Sequence, residues 1–299
     1  MFRNLSADGL GISGQQSELI ELALSYGFQA IDLDMSEFME EVEIYGLPHA
    51  RRMLDSARIR VGQFQLPIQW DEWEEDEAKF KRELERLAKI AEIAVSLGCA
   101  HCLTTVRPAS DERPYHENFE FHRRRLGEIA EVLQPHGIGL GVGFQAPAAL
   151  RQGRAFQFIH TFDALVQLIK SAVAENVGAI VDTWQLHVGG GKLDEVRSLT
   201  GSQIAAVVLS DIAVDVDLET VDESARLVPG DTGVIDNGAA LAVAGDLGFD
   251  GPITVRASRR SFPDTKRDRV ARLVRDRLDA IRSAAEPCES DNLPASTSS

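Results

Sequence analysis

Eight short β-rich runs alternate with longer amphipathic stretches along nearly the whole chain, and several of those stretches stop at a glycine. Together these patterns predict an α/β fold, a single (β/α)8 TIM barrel. The 299 residues, 44% hydrophobic and 26% charged, suit a soluble globular chain with a sizeable core. A doubly wound sheet of this length would show fewer strands and a phosphate loop after the first.

The strands are expected at residues 5–10, 30–35, 60–66, 101–106, 138–144, 177–184, 204–211 and 252–257. Helices are expected at 74–97, 118–134, 161–175, 237–247 and 265–285, with Leu97-Gly98 and Leu247-Gly248 offering left-handed stops. Parallel strands joined by helical crossovers follow from that alternation. The barrel is assigned to residues 1–285. Residues 286–299, rich in Ser, Pro, Asn and Asp, are read as a disordered C-terminal tail.

Gly9-Leu10-Gly11-Ile12-Ser13-Gly14 spells G-x-G-x-x-G, but the run before it is short and polar, so a flexible first βα loop is the better reading. The acidic run at 71–77 reads as a solvated helix start. Lys and Arg total 31 against 47 Asp and Glu, a net charge of −16. That balance opposes general binding to nucleic acid or anionic membranes. Neither a signal-peptide pattern nor an 18-residue apolar run occurs, so the expectation is a cytoplasmic protein. Cys99, Cys102 and Cys288 are odd in number and fit a reducing compartment. Cys99-Ala-His101-Cys102 lacks a second ligand pair and reads as buried residues at a strand start.

In such a barrel the chemistry sits at the C-terminal strand ends. Those ends read Gly-Val-Gly-Phe-Gln-Ala-Pro at 141–147, Val-Asp-Thr-Trp-Gln-Leu-His at 181–187, Val-Val-Leu-Ser-Asp at 207–211 and Val-Arg-Ala-Ser at 255–258. Further stretches are Arg107-Pro-Ala-Ser-Asp-Glu-Arg-Pro114, Asn118-Phe-Glu-Phe-His-Arg-Arg-Arg-Leu126, Phe158-Ile-His-Thr-Phe-Asp163, Arg226-Leu-Val-Pro-Gly-Asp-Thr-Gly-Val-Ile-Asp236 and Gly251-Pro-Ile-Thr-Val255. In order and spacing, over about residues 5–285, the chain resembles the sugar phosphate isomerase/epimerase family of xylose isomerase-like TIM barrels.

The resemblance implies one divalent metal, such as Mn or Mg, held by a glutamate, an aspartate, a histidine and a glutamate from strands five to eight. It also implies proton transfer between neighbouring carbons by the glutamates. On that pattern this chain carries Gly143, Asp182, Val208 and Arg256, so three of the four ligands are absent. Gln185 stands where the family has a substrate-contacting histidine. No acid or histidine lies within two residues of Gly143, Val208 or Arg256, so a shifted register restores nothing. A single carboxylate does not hold such an ion, and no cofactor is expected.

Arg256 is expected to pair with Asp182 where the metal would sit, unless it points to solvent and loop amides satisfy the aspartate. Arg107, Arg113, Arg226, Arg259 and Arg260 complete a basic cluster suited to an anionic or sugar-like ligand. Alternatively they pair with Asp111, Glu112, Asp211 and other loop acids. His160 and His187 are candidates for ligand contact or for helix capping. Three functions stay open: a carbohydrate-binding family member that has lost metal catalysis; an enzyme, whether a sugar isomerase/epimerase or a metal-independent lyase using Asp182, His187 and Arg256; and a scaffold in a homo-oligomer.

Overall fold

The computed structural model describes residues 1–71, 77–172 and 174–285. Most of the acidic run at 71–77 and the expected tail at 286–299 lie outside the described residues. The eight barrel strands are β1 (Phe2–Leu5), β2 (Ala30–Asp32), β3 (Arg60–Gln65), β4 (His101–Thr105), β5 (Gly139–Gly143), β6 (Val177–Asp182), β7 (Ile204–Leu209) and β8 (Pro252–Val255). Each is hydrogen-bonded in parallel to its sequence neighbours, and β1 closes the barrel on β8 through Phe2–Pro252, Arg3–Ile253 and Asn4–Thr254.

Helices pack outside this ring because their apolar residues recur at helical spacing. In Glu77–Ser96 the buried positions are Phe80, Leu87, Ile90, Ala91 and Ala94, one stripe facing the strands. Leu87 and Ile90 are fully buried, each worth about 1.5–3 kcal/mol relative to exposure. Inside the barrel, Leu103, Ile180, Ala205, Ala206 and Val208 fill a separate apolar layer. Gly141 belongs there, since a Cβ would collide with Ala205 at 2.7 Å.

Three strand expectations need correction. The first strand covers Phe2–Leu5, not 5–10, because the chain turns at Asp8–Leu10 and Gly11 adopts φ 60°. The G-x-G-x-x-G is therefore a tight turn, and a Cβ on Gly11 would press the Arg259 side chain at 3.1 Å. The sixth strand ends at Asp182, not 184. Its carboxylate accepts from the Trp184 and Gln185 backbone N–H groups and starts the helix Thr183–Val188, which the sequence reading missed. The second strand ends at Asp32, not 35, because the Asp34 carboxylate accepts from the Ser36 and Glu37 N–H groups and starts the helix Met35–Tyr45; Gln16–Ser25 is a further helix.

Candidate functional site

At the C-terminal strand ends lies a cavity of ≈ 370 Å³ with contributions from every strand or the loop after it. Ser6 and Asp8 follow β1, Asp32 ends β2, and Gln63 and Gln65 come from β3. Thr105, Gly143, Gln145, Asp182, Gln185, Val208, Thr254 and Arg256 complete most of the wall.

One side of the mouth is organised by Asp182. Arg226 grips it through two bonds, Nη1 to Oδ1 at 3.0 Å and Nη2 to Oδ2 at 2.8 Å. Arg226 also donates through Nε to Glu223 Oε2 at 2.5 Å, through Nη2 to Glu223 Oε1 at 3.3 Å, and through Nη1 to Ser210 Oγ at 3.0 Å. All five guanidinium N–H groups are thereby used. Its guanidinium lies 4.5 Å from the Trp184 ring centroid, and the residue is 1% exposed. Burial works against the Arg226 charge, but Asp182 and Glu223 outweigh it and hold its pKa above the usual value. Gln185 extends the network, donating to Glu223 Oε1 at 2.6 Å and accepting from the Ala146 N–H at 2.7 Å.

The chain reaches this arrangement through Asp211. Its backbone pairs with Leu227 at 2.9 Å in both directions, which turns the loop after β7 back toward the mouth. Its carboxylate accepts from the backbone of Ile212, Thr232, Gly233 and Ile235. Burial disfavours the Asp211 charge, yet these donors prevail and its pKa is lowered.

The opposite side is built from β1, β2 and β3. Asn4 Nδ2 donates to Asp32 Oδ1 at 2.5 Å and to Thr254 Oγ1 at 3.1 Å, while Gln63 Nε2 donates to Asp32 Oδ2 at 3.2 Å. Gly62 leaves the space that the Asn4 side chain occupies. Burial pushes the Asp32 carboxyl up to about 6, with Ser6, Asn4 and Gln63 opposing the shift and the Asp8 charge adding to it. Because both amides turn their N–H groups to Asp32, Asn4 Oδ1 and Gln63 Oε1 are left buried without a donor among the described residues.

The expected pairing of Asp182 with Arg256 is not formed. Arg226 occupies both Asp182 oxygens, and Arg256 lines the cavity without an ion-pair partner among the described residues. The reason is reach: the Asp211–Leu227 bridge delivers Arg226 to Asp182 from within the core. Nor do the other arginines converge on the mouth. Arg107 pairs with Asp71 at 2.7 Å, Arg259 donates to the Thr265 carbonyl at 2.8 Å, and Arg260 donates to Ser224 Oγ at 3.0 Å. Arg113 lies over the Phe121 ring at 3.8 Å. His160 is set against the Phe158 carbonyl at 2.7 Å, and His187 occupies the last turn of Thr183–Val188. Neither histidine lines the cavity. Burial lowers the His187 pKa, with Asp211 opposing.

Sequence reasoning missed Asn4, Asp32, Gln63 and Glu223. The available signal was a polar residue inside a strand run, as in Ala30-Ile-Asp32 and Val61-Gly-Gln63. Asn4 gives no such signal, because it lies before the apolar run expected as the first strand at 5–10. Cys99 and Cys102 are buried free thiols, with burial pushing the Cys99 thiol up to about 12.

Among the described residues no group of three or more His, Cys, Asp or Glu side chains is arranged to hold a metal ion. At the four positions the family pattern singles out, Gly143 and Val208 carry no donor, Arg256 is a cation, and Asp182 is committed to Arg226. That donor set does not fit a divalent ion. Packing does not dictate the glycine, since a Cβ on Gly143 would meet Ile180 and Thr105 only at 3.4 Å.

The family model described as xylose isomerase-like TIM barrel matches residues 20–284. The inosose isomerase of Bacillus licheniformis is 22% identical over 151 residues, 50% of this chain and 51% of that protein. The inosose isomerase of Bacillus subtilis is 22% identical over 137 residues, 46% of each. The chain thus matches about half the length of these curated relatives. Among solved structures, a xylose isomerase domain protein from Alicyclobacillus acidocaldarius is similar with a TM-score of 0.86 and 25% identity, covering 95% of this chain and 99% of that one. The IOLI protein with a binding zinc atom gives 0.75 at 16% identity, covering 95% and 98%. D-psicose 3-epimerase from Clostridium cellulolyticum with D-tagatose gives 0.72 at 14%, covering 96% and 100%. The last two likenesses show the fold alone.

Proposed function

The chain belongs to the xylose isomerase-like TIM barrel family, and from that premise we propose that it binds a neutral, polyhydroxylated small molecule in the barrel mouth without a divalent metal. The observation that carries this reading is the wall of the cavity. Ser6, Gln63, Gln65, Thr105, Gln145, Gln185 and Thr254 supply hydroxyl and amide groups, which both donate and accept as sugar hydroxyls require.

Charge favours a neutral ligand over the anionic one that the arginine-rich motifs suggest. Asp8, Asp32, Asp182 and Glu223 line the cavity with Arg256, and Arg226 behind them is already shared by two carboxylates. A phosphate would meet more negative than positive charge. The names of the relatives, inosose isomerase and a ketose epimerase, point to polyol ligands of the same chemical class.

The donor set supports binding without metal-dependent isomerisation. A metal-independent lyase using Asp182, His187 and Arg256 has less support, since Arg226 holds Asp182 and His187 is not on the cavity wall. Calorimetric titration of D-tagatose, D-fructose and myo-inositol, first with excess EDTA and then with Mn²⁺, tests the reading. Binding in both conditions with no conversion of the sugar is expected. Binding only with Mn²⁺, or Mn²⁺-dependent interconversion of the ketoses, would overturn it.

A further inference from the structure

The two carboxylates that reach the cavity from opposite sides are not equivalent as hydrogen-bond acceptors. Asp182 Oδ1 already receives three donors and Oδ2 a fourth, and its charge is met by a guanidinium. Among the described residues Asp32 is touched only by neutral donors, the Asn4 and Gln63 amides and the Ser6 hydroxyl. A carboxylate has about four acceptor sites, so Asp32 keeps capacity that Asp182 has spent.

Gln63 adds an independent sign. It is 3% exposed and lines the cavity, its N–H group is committed to Asp32, and its Oε1 has no donor. A buried carbonyl left unpaired costs about 1–3 kcal/mol, so the amide that holds Asp32 is itself only partly satisfied. The acceptor that this end of the mouth offers to the cavity is therefore the Asp32 carboxylate, the complement of a ligand hydroxyl.

Resting on the reading that the cavity takes a polyol, we infer that the ligand is held at the β1–β3 end, with a hydroxyl donating to the Asp32 carboxylate and the sugar packed against Gln63 beside it, while the Asp182–Arg226 pair serves as wall. The charged and titratable groups around Asp32 are Asp8 beyond β1, Arg256 beyond β8 and the Cys99 thiol before β4. A hydroxyl donating to Asp32 favours its ionised form, so ligand binding draws the carboxyl down from about 6 and releases a proton near that pH.

The test is calorimetric titration of D-tagatose, D-fructose and myo-inositol into the wild-type protein between about pH 5 and pH 7, in buffers of different ionisation enthalpy. For whichever of these sugars binds, affinity is expected to rise about tenfold over that range, with proton release near the middle of it. Asp32→Asn is expected to bind at least about tenfold more weakly at neutral pH and to lose the pH dependence. Gln63→Met is expected to bind about threefold more weakly and to keep proton release. Wild-type binding that is flat with pH and releases no proton overturns the inference while leaving polyol binding intact. So does an Asp32→Asn variant that binds like wild type. No binding of any of the three at any pH overturns both readings. Should Asp32→Asn fail to fold, Gln63→Met decides, and binding equal to wild type in that variant overturns the inference.

Discussion

The β6–β7 side of the mouth and the β1–β3 side each present an aspartate at a strand end, yet they solve the burial of that charge in opposite ways. Asp182 is neutralised by a buried arginine and by helix-capping N–H groups, and the result is a closed network. Asp32 is surrounded by neutral amides, and the result is a raised pKa and, among the described residues, two carbonyls without donors. A paired charge is expensive to break and has little left to offer a ligand. An unpaired one is less stable and more available.

The sharpest way to break the comparison is Arg226→Met. It strands Asp182 and Glu223 without a cation, and a loss of about 3–5 kcal/mol is expected in urea-induced unfolding. Asp182→Asn combined with Arg226→Met should be more stable than Arg226→Met alone, because the more buried of the two stranded charges is then gone. A double variant as unstable as the sum of its parts would argue against the pairing.

The Asp32 side should respond with the opposite sign. Its folded pKa of about 6 lies above the ordinary 3.8, so the folded protein holds this proton more tightly than the unfolded chain. The associated stability is complete below pH 3.8 and is lost as pH rises through about 6. A shift of about two units corresponds to about 3 kcal/mol, so Asp32→Asn is expected to gain on wild type by up to that amount between acid and neutral pH. The Asn4 and Gln63 amides can rotate to accept from the new amide. Comparing variant with wild type is essential because buried His122 has the opposite slope. Burial lowers its pKa from 6.5 to about 4, so its contribution is complete above 6.5 and is lost as pH falls toward 4. A difference between variant and wild type that is flat with pH would contradict the environment assigned to Asp32.

The smallest expected effects concern the exposed arginines. Arg256→Met and Arg107→Ala should each change unfolding free energy by about 1 kcal/mol or less. They should differ in binding. Arg256 lines the cavity, so its loss weakens the ligand titration, whereas Arg107 is paired with Asp71 away from the cavity wall and its loss does not. Equal effects on binding would mean that the mouth extends beyond the cavity described.

Much of the architecture was legible because a barrel strand buried on both faces reads as a short apolar run, as in Val177–Asp182 and Ile204–Leu209. Legibility failed where polar side chains do structural work. Asn4 sits in the first strand but looks like loop, and Asp182 to Trp184 looks like strand although the aspartate caps a helix. The candidate site was legible at Asp182, Gln185 and Arg256 as strand-end positions. It was not legible at Asp32, Gln63 or Glu223, whose significance depends on neighbours from other strands and loops.

By itself the sequence determined the eight-fold alternation, the family likeness and the identities Gly143, Val208 and Arg256 at the positions where the resemblance would place metal ligands. These are properties of spacing and residue type, which are local. Only the tertiary structure decided that Arg226, 44 residues after Asp182, becomes its partner and that Arg256 is left without an ion-pair partner among the described residues. Ion pairing depends on which charges the closed barrel brings within hydrogen-bond reach, and the loop pinned by Asp211 sets that distance.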